Sequence, residues 1–231
     1  MSNSPLVSYI NLSPNHSGKR NHKIDTISIH CMAGNLSVEG CGALFARPST
    51  QASSNYGIGS DGRIALYVDE GNRSWCTSSA SNDNRAITIE VANTTAAEPY
   101  PCSKQAYNAL IDLLVDICQR NNIPKLLWKN DPSLIGQVDK QNMTVHRWFA
   151  NKSCPGKYLL ERHFDIAKAV NERLEDNMIY YEQIKDMPSA YQQTVKKLVD
   201  KGIIKGKADG LHISEDNARL LVWLDRAEIF K

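Results

Sequence analysis

Asp25-Thr-Ile-Ser-Ile-His30 is the stretch that decides the fold of this 231-residue chain. Its side chains alternate between apolar and polar, which predicts a β-strand with one face in a core and with Ser28 and His30 on the other face. Ala86-Ile-Thr-Ile-Glu-Val91 repeats the alternation and puts Glu90 on its polar face. Two such strands predict a sheet that is packed on one side and carries polar groups on the other.

Further elements lie between and after these two strands. A hairpin is predicted over residues 56–68, around an Asp-Gly turn. One helix follows Ser103, which can cap it, and another has Pro155 in its first turn and runs to about Leu174. Leu126–Trp128 is a candidate for a short strand. This order predicts an α/β domain with a mixed central β-sheet flanked by helices.

The composition is that of a folded protein without a strong charge bias. Hydrophobic residues make up 42% of the chain and charged residues 23%, and the formal net charge is +2. This balance favours neither a nucleic acid nor a membrane surface as a partner. Residues 1–18 contain no Lys or Arg and no long apolar run, so we expect no secretory signal and no membrane span.

Two histidines and one cysteine are the candidates for a metal site. His30, His146 and Cys154 offer the N and S ligands that zinc prefers, and three protein ligands are typical of a catalytic site with an open fourth position. The six cysteines form no CxxC pair, and most are expected to be free thiols. The other thiols that remain open as ligands are those of Cys31, Cys41 and Cys76.

Several ordered blocks resemble the zinc-dependent N-acetylmuramoyl-L-alanine amidases of the phage-lysozyme and peptidoglycan-recognition-protein type. The resemblance covers roughly residues 20–175. The blocks are Ile27-Ser-Ile-His30, Ser53-Ser-Asn-Tyr-Gly-Ile-Gly-Ser-Asp-Gly62, Asn84-Arg-Ala-Ile-Thr-Ile-Glu90, Thr144-Val-His146 and Lys152-Ser-Cys-Pro-Gly156.

The resemblance implies a set of roles for the residues of these blocks. It implies Glu90 as the general base, because Ser54 stands where some relatives have a tyrosine for this role. It implies Lys152 as the cation that stabilises the oxyanion of the reaction. The bond that it implies is the amide between N-acetylmuramic acid and L-Ala of peptidoglycan. One catalytic Zn²⁺ is implied, with the ligands His30, His146 and Cys154.

The segment before the Glu90 strand is a candidate for substrate binding. Trp75, Asn84 and Arg85 lie in it, and we predict that it forms a loop. An indole ring can stack on a sugar, while the amide and the guanidinium can hydrogen-bond a glycopeptide. These three residues are therefore predicted to line a glycopeptide groove.

Residues 178–231 are predicted to form a small, mainly helical second domain after a catalytic domain over residues 1–177. One helix is predicted from Ser189 to Lys201, before Gly202, and another from a Ser214 cap to about Phe230. The order of these segments resembles a single S-layer-homology-like unit, which implies a wall polymer as a ligand. Self-association is the alternative, because about 54 residues are near the lower limit for a domain that folds alone.

Met178, at the predicted domain boundary, is a candidate start of a second, tail-only product that associates with the full chain. The resemblance predicts a phage or prophage endolysin that lyses the bacterial cell wall. Such a protein is made in the cytoplasm without a signal peptide and reaches the wall through a membrane lesion. The alternatives are a host autolysin and a non-catalytic peptidoglycan-binding protein. Retention of all three ligands favours an enzyme.

Overall fold

The protein is represented by a computed structural model that describes residues 3–176, 179–206 and 210–230. The chain divides into two compact units, Met1–Leu174 and Glu175–Lys231. Met178, the candidate second start, lies outside the described residues. Among the described residues, no helix combines the length and the apolar character needed to cross a membrane.

The first unit is built on a six-stranded mixed sheet with the order β1-β5-β4-β7-β3-β8. β4 and β5 pair antiparallel and form the predicted hairpin, whereas β7, β3 and β8 run parallel. The strands of this sheet are β1 (Tyr9–Ile10), β3 (Thr26–Cys31), β4 (Tyr56–Ile58), β5 (Ile64–Leu66), β7 (Ala86–Val91) and β8 (Met143–Thr144). β2 (His16–Lys19) and β6 (Asn72–Ser74) form a separate two-stranded sheet.

Within the described residues, four α-helices belong to the sheet-containing part of the chain, and this arrangement confirms the predicted fold class. They are α1 (Val38–Phe45), α2 (Ala80–Arg85), α3 (Lys104–Arg120) and α4 (Gly156–Asp176). Ser103 caps α3 as predicted, because its hydroxyl accepts a hydrogen bond from the Ala106 amide at 3.0 Å. α4 begins one residue after Pro155, which therefore precedes the first turn.

The prediction of a strand over Leu126–Trp128 is wrong. The amide of Leu126 donates to Asn171 and that of Leu127 to Asn142, both at 2.7 Å and both to side-chain oxygens. These two amides are therefore satisfied outside any β-ladder. The edge position beside β3 is taken by β8 instead.

The apolar face of the central strands packs into the main core of the first unit. Ile27 and Ile29 of β3 pair in register with Ile87 and Ile89 of β7, and all four are fully buried. α3 contributes an almost continuous apolar face to the same core. This packing fixes β3 and β7 rigidly side by side, so the polar residues between these isoleucines have defined positions.

In the described part of the second unit there are two α-helices and a two-stranded antiparallel sheet. Its elements are β9 (Tyr180–Tyr181), α5 (Ser189–Asp200), β10 (Ile213–Ser214) and α6 (Glu215–Arg226). Ser214 caps α6 through the Asn217 amide, and Gly202 follows α5 with a φ of 69°, as expected for a glycine after a helix. α6 ends at Arg226, before the predicted Phe230, and the pairing of β9 with β10 was not predicted.

Candidate metal centre and active site

The centre of the site is set by the register of two parallel strands. His30 of β3 and Glu90 of β7 are direct partners, and so are Ser28 and Thr88 two residues earlier. Partners in a parallel ladder point to the same face of the sheet. The imidazole and the carboxylate therefore lie side by side, on the face opposite the isoleucine core.

Three potential metal ligands converge beside Glu90. His146 begins a short 3₁₀ turn after β8, and Cys154 lies just before α4. One donor atom from each of His30, His146 and Cys154 lies within 4.8 Å of the others. The His30 Nδ1 to Cys154 Sγ distance is 3.3 Å, close to the ~3.6 Å between N and S ligands of tetrahedral zinc. The three residues fit a zinc ion.

Two serine hydroxyls contact the outer nitrogens of the histidines. Ser28 Oγ lies 3.1 Å from His30 Nε2 and donates to the Thr144 carbonyl at 3.3 Å. Since the hydroxyl proton is used by the carbonyl, Ser28 accepts from a protonated Nε2, which leaves the Nδ1 lone pair facing Cys154. Ser78 Oγ lies 3.2 Å from His146 Nε2. Ser28 is thus placed to orient the His30 ring from a buried position, while Ser78 contacts the His146 ring from an exposed one.

Burial keeps both histidines in the form that binds metals. It lowers the pKa of His30 to about 3, with a further contribution from His146. Burial, followed by the charge of Lys152, also lowers the pKa of His146. Neutral imidazole is the ligand form.

The Cys154 thiol is held in its neutral form by its surroundings. A hydrogen bond with Cys31 and then burial raise the pKa of Cys154 well above its usual range. A bound divalent cation would favour the thiolate in this position.

Glu90 also lacks compensation for a negative charge. Its Oε1 lies 4.0 Å from Cys76 Sγ, while its buried Oε2 has no hydrogen-bond partner among the residues that the structure describes. Burial, followed by Cys31, raises the pKa of this carboxyl well above its ordinary value. Donor atoms of His30, Cys76 and Glu90 also lie within 4.8 Å of one another. A bound cation would favour the ionised form of this carboxyl. Its position beside these donor atoms therefore fits a metal site.

An open cleft of about 350 Å³ leads to His146. Lys152 lies on its wall with an exposed side chain, and Trp75 lines it after β6. The Trp75 indole donates to Ser17 Oγ at 2.7 Å, which fixes the ring in the cleft. The other residues that line this cleft are Gln51, Ala52, Arg73, Cys76, Ser78, Ser79, Ala80 and Asp83.

Asn84 and Arg85 do not line this cleft. They lie on α2, a helix in the segment predicted to be a loop. The Arg85 guanidinium makes two hydrogen bonds to Asp25, at 3.0 and 2.8 Å, and Asn84 bonds the Ala80 carbonyl at 2.9 Å. The structure therefore places Trp75, but not the other two predicted groove residues, at the cleft.

Two serines that contact the histidines, Ser28 and Ser78, were not among the predicted site residues. Ser54 is buried and its hydroxyl donates to the Tyr56 carbonyl at 2.7 Å. Ser28 was visible in principle, because strand alternation puts it on the His30 face. Ser78 carried no signal, since only the folded chain brings it to His146, whereas Cys76 was one of the thiols left open as a ligand and the fold brings its Sγ to Glu90.

Comparison with known families gives one match over more than half of the chain. Residues 20–157 match the Amidase_2 family, which is described as N-acetylmuramoyl-L-alanine amidase. The matched range contains all three candidate ligands together with Glu90 and Lys152. Comparison with curated protein sequences gives no significant match.

Solved structures support the fold at low sequence identity. An AmpD derivative is 18% identical with a TM-score of 0.53, over 74% of this chain and 99% of its own. A mutant endolysin from Bacillus subtilis is 17% identical with a TM-score of 0.52, over 70% and 97%. The catalytic domain of XlyA is 16% identical with a TM-score of 0.51, over 70% and 97%.

Proposed function

This chain belongs to the Amidase_2 family of N-acetylmuramoyl-L-alanine amidases, and on that premise we propose that it is a zinc-dependent hydrolase. The family makes it an enzyme with peptidoglycan as its substrate. The bond cleaved in this proposal is the amide between N-acetylmuramic acid and L-Ala. The observation that carries the proposal is the convergence of three N and S donors within 4.8 Å beside the carboxylate of Glu90.

Zinc, when bound by His30, His146 and Cys154, would acidify a water molecule and polarise the carbonyl of the scissile amide. Glu90 takes a proton at its carboxylate and returns it to the nitrogen of the leaving amine. The position of Glu90 suits this role, because its register pairing with His30 holds the carboxylate beside the ligand cluster. The unpartnered Oε2 is free to accept that proton.

Lys152 supplies positive charge on the wall of the same cleft. It lines this cleft together with His146, and its charge adds to burial in lowering the pKa of that imidazole. A cation at this point stabilises the negative charge that develops on the carbonyl oxygen during attack. Trp75 offers a ring face for a sugar at the edge of the cleft. Asn84 and Arg85 would reach a substrate only along a groove that extends beyond this cleft.

The test is digestion of purified cell walls by wild type and by Glu90→Gln, each with and without a chelator. Mass spectrometry should find free stem peptides that begin with L-Ala from the wild type alone. The substitution should lower the rate by ~10²–10⁴-fold, the usual contribution of a general base. Zinc content of the purified proteins should stay the same, because Glu90 is not one of the three ligands.

Glu161→Gln is the matched control, since that carboxylate is exposed on α4 away from the cleft. It should leave the rate unchanged. Release of sugar fragments instead of peptides would contradict the proposed bond. Full activity of protein that holds no metal would contradict the zinc dependence.

The setting that we propose for this enzyme is lysis of the bacterial wall by an endolysin. The support is that a mutant endolysin from Bacillus subtilis shares the fold; a host autolysin is the alternative. In this proposal the second domain, over residues 178–231, binds a wall polymer or associates with another copy. A host autolysin would be expressed in growing cells, whereas an endolysin would appear only at phage induction, which a time course of protein levels distinguishes.

A further inference from the structure

Exposed apolar side chains are concentrated in the second unit. Among the described residues, twelve large apolar side chains are exposed, and six of them lie in Glu175–Lys231, about a quarter of the chain. Single exposed apolar residues are ordinary, but a group on one element marks a surface that another molecule covers. The six are Ile179, Tyr180, Ile203, Leu220, Trp223 and Ile229.

α6 carries two of these side chains on one face. Leu220 is 48% exposed and Trp223 is 60% exposed. They are three residues apart, so they are neighbours on the helix surface. On the opposite face, Ala218 and Val222 are buried, and Ala218 belongs to the core of the unit, against which Leu221 packs. The core of the second unit therefore accounts for one apolar face of α6 and leaves the other uncovered. We call Leu220, Trp223 and the exposed Ala227 the outer stripe.

The charges at the two ends of α6 have opposite signs. Its first turn contains Glu215 and Asp216, and its last turn contains Arg226. Asp216 and Arg226 lie five residues on either side of Leu221, a separation of about 15 Å along the axis. When two such helices cross antiparallel at Leu221, each Asp216 lies opposite the Arg226 of the other copy. Arg219 of the same helix already lies 3.2 Å from Glu215 and 3.5 Å from Asp216, so a second α6 in reverse orientation adds the charge of its Arg226 to this acidic end.

We propose that the outer stripe of α6 is a homodimer interface, in which α6 of one copy packs antiparallel against α6 of another. Leu220 and Trp223 form its centre, where apolar and aromatic side chains contribute most to association. Leu220 and Ala227 lie one turn to either side of Trp223 and continue the apolar stripe, while the exposed Arg219 and Arg226 flank the same ring, so a sugar ligand is the competing occupant that the test distinguishes. α6 has only 12 residues, so the dimer is weak and concentration-dependent.

The test measures the mass of the full chain in solution over a range of micromolar concentrations, by light scattering after size exclusion and by sedimentation. Wild type should shift from monomer to dimer as its concentration rises. Trp223→Glu should raise the dimer Kd by roughly 30-fold or more, because it places a charge at the centre of the interface. Circular dichroism should show that the variant keeps its helix content.

Phe164→Glu is the matched control. Phe164 is 66% exposed, is also a large apolar residue on a helix, and belongs to the first unit. This substitution should leave the dimer Kd unchanged. A dimer that is lost equally in both variants would overturn the assignment to α6.

A charge exchange tests the antiparallel orientation. Asp216→Arg and Arg226→Asp should each weaken the dimer by roughly twofold to thirtyfold, because each substitution removes two exposed ion pairs of about 0.2–1 kcal/mol from the symmetric dimer. The double variant should recover the wild-type Kd, since the two charges then face each other again. The same charges also favour the helix by themselves, so melting curves must show that all three variants stay folded.

Three results would overturn the proposal. The first is a chain that stays monomeric throughout the concentration range. The second is a dimer that is insensitive to Trp223→Glu. The third is a monomer that sediments with cell walls and loses this property in Trp223→Glu, which would make the outer stripe a wall-binding surface instead.

Discussion

The two units of this protein differ in which side chains depart from the usual pattern of burial. In the first unit, polar side chains are buried: Ser28, His30 and Thr88 have no exposed surface on the functional face of β3 and β7. In the second unit, large apolar side chains are exposed, with Leu220 and Trp223 on the outer stripe of α6. Neither pattern is expected from folding alone, since polar groups normally stay in water and large apolar groups in a core.

The difference shows where each unit departs from what stability requires. Burying His30 and Glu90 side by side costs solvation free energy, and the Glu90 carboxylate keeps an unpartnered oxygen. That arrangement is useful for holding a cation and moving a proton. Exposing Leu220 and Trp223 forgoes hydrophobic stabilisation within one chain, and that surface becomes useful when a second molecule covers it. We therefore propose that chemistry belongs to the first unit and association to the second.

The largest expected effect comes from removing a ligand in the first unit. His146→Ala should lower the rate of wall hydrolysis by roughly 10³–10⁴-fold, since metal chemistry contributes several kcal/mol to the transition state. It should also leave the dialysed protein with less than one zinc per chain, measured by elemental analysis. His22→Ala, at an exposed histidine, is the control for both measurements. Trp223→Ala should leave the zinc content at the wild-type level. A lower zinc content in this variant would contradict the separation of functions between the two units.

Lys152→Ala should have the next largest effect. Loss of a group that stabilises the oxyanion typically lowers kcat by ~10²–10³-fold. Zinc content should not change, and KM should change little, because the interaction is made mainly in the transition state. Lys157→Ala, five residues further and exposed, is the control. A raised KM with an unchanged kcat would make Lys152 a substrate-binding residue only.

A third prediction concerns the pH dependence of stability. His163 is fully buried on α4, and burial lowers its pKa to about 4. Between pH 6.5 and 4 the unfolded chain binds this proton and the folded chain does not, so the free energy of unfolding falls as the pH is lowered. The full loss is about 3 kcal/mol, at 1.36 kcal/mol for each pKa unit.

Denaturant unfolding of metal-free protein at several pH values measures this effect. His163→Gln should show a smaller decrease between pH 6.5 and 4 than the wild type. His212→Gln is the control in the second unit, because that imidazole is exposed and bonded to Glu182. If the free energy of unfolding changes with pH equally in wild type and His163→Gln, other groups determine the loss of stability in acid.

Much of the first unit follows from local sequence rules. The alternation over residues 25–30 and 86–91 predicts both central strands, and Ser103 predicts the start of α3. The fold class is correct because these signals are periodic and act over a few residues. The short strands of the second unit were missed because β9 and β10 have two residues each, too few for any period to appear.

The site is less predictable, because its second layer is assembled from distant parts of the chain. Ser28 lies two residues from His30, yet its hydrogen bond to the Thr144 carbonyl spans 116 positions. Ser78 reaches His146 across 68 positions. Arg85 was assigned to the groove by proximity in sequence, whereas α2 directs its guanidinium to Asp25. Sequence patterns define which face a residue occupies, but not which distant partner it meets there.

The smallest effect is expected for the second layer, and it tests whether burial of polar groups serves the metal. Ser28→Ala removes the hydroxyl that lies 3.1 Å from His30 Nε2, while it keeps the strand and the isoleucine core. The imidazole then loses the contact that selects its tautomer, so zinc affinity should fall by ~10–100-fold. Competition with a chromophoric chelator measures this change directly.

Ser8→Ala is the matched control, because its hydroxyl also donates to a backbone carbonyl, that of Ile64, far from the ligands in the sheet. It should leave zinc affinity unchanged. Equal affinities in wild type and Ser28→Ala, with equal stability, would mean that β3 and β7 alone orient His30. The buried Ser28 hydroxyl would then serve packing and not metal binding. In that case only the ligands and Glu90 would be polar groups buried for function in the first unit.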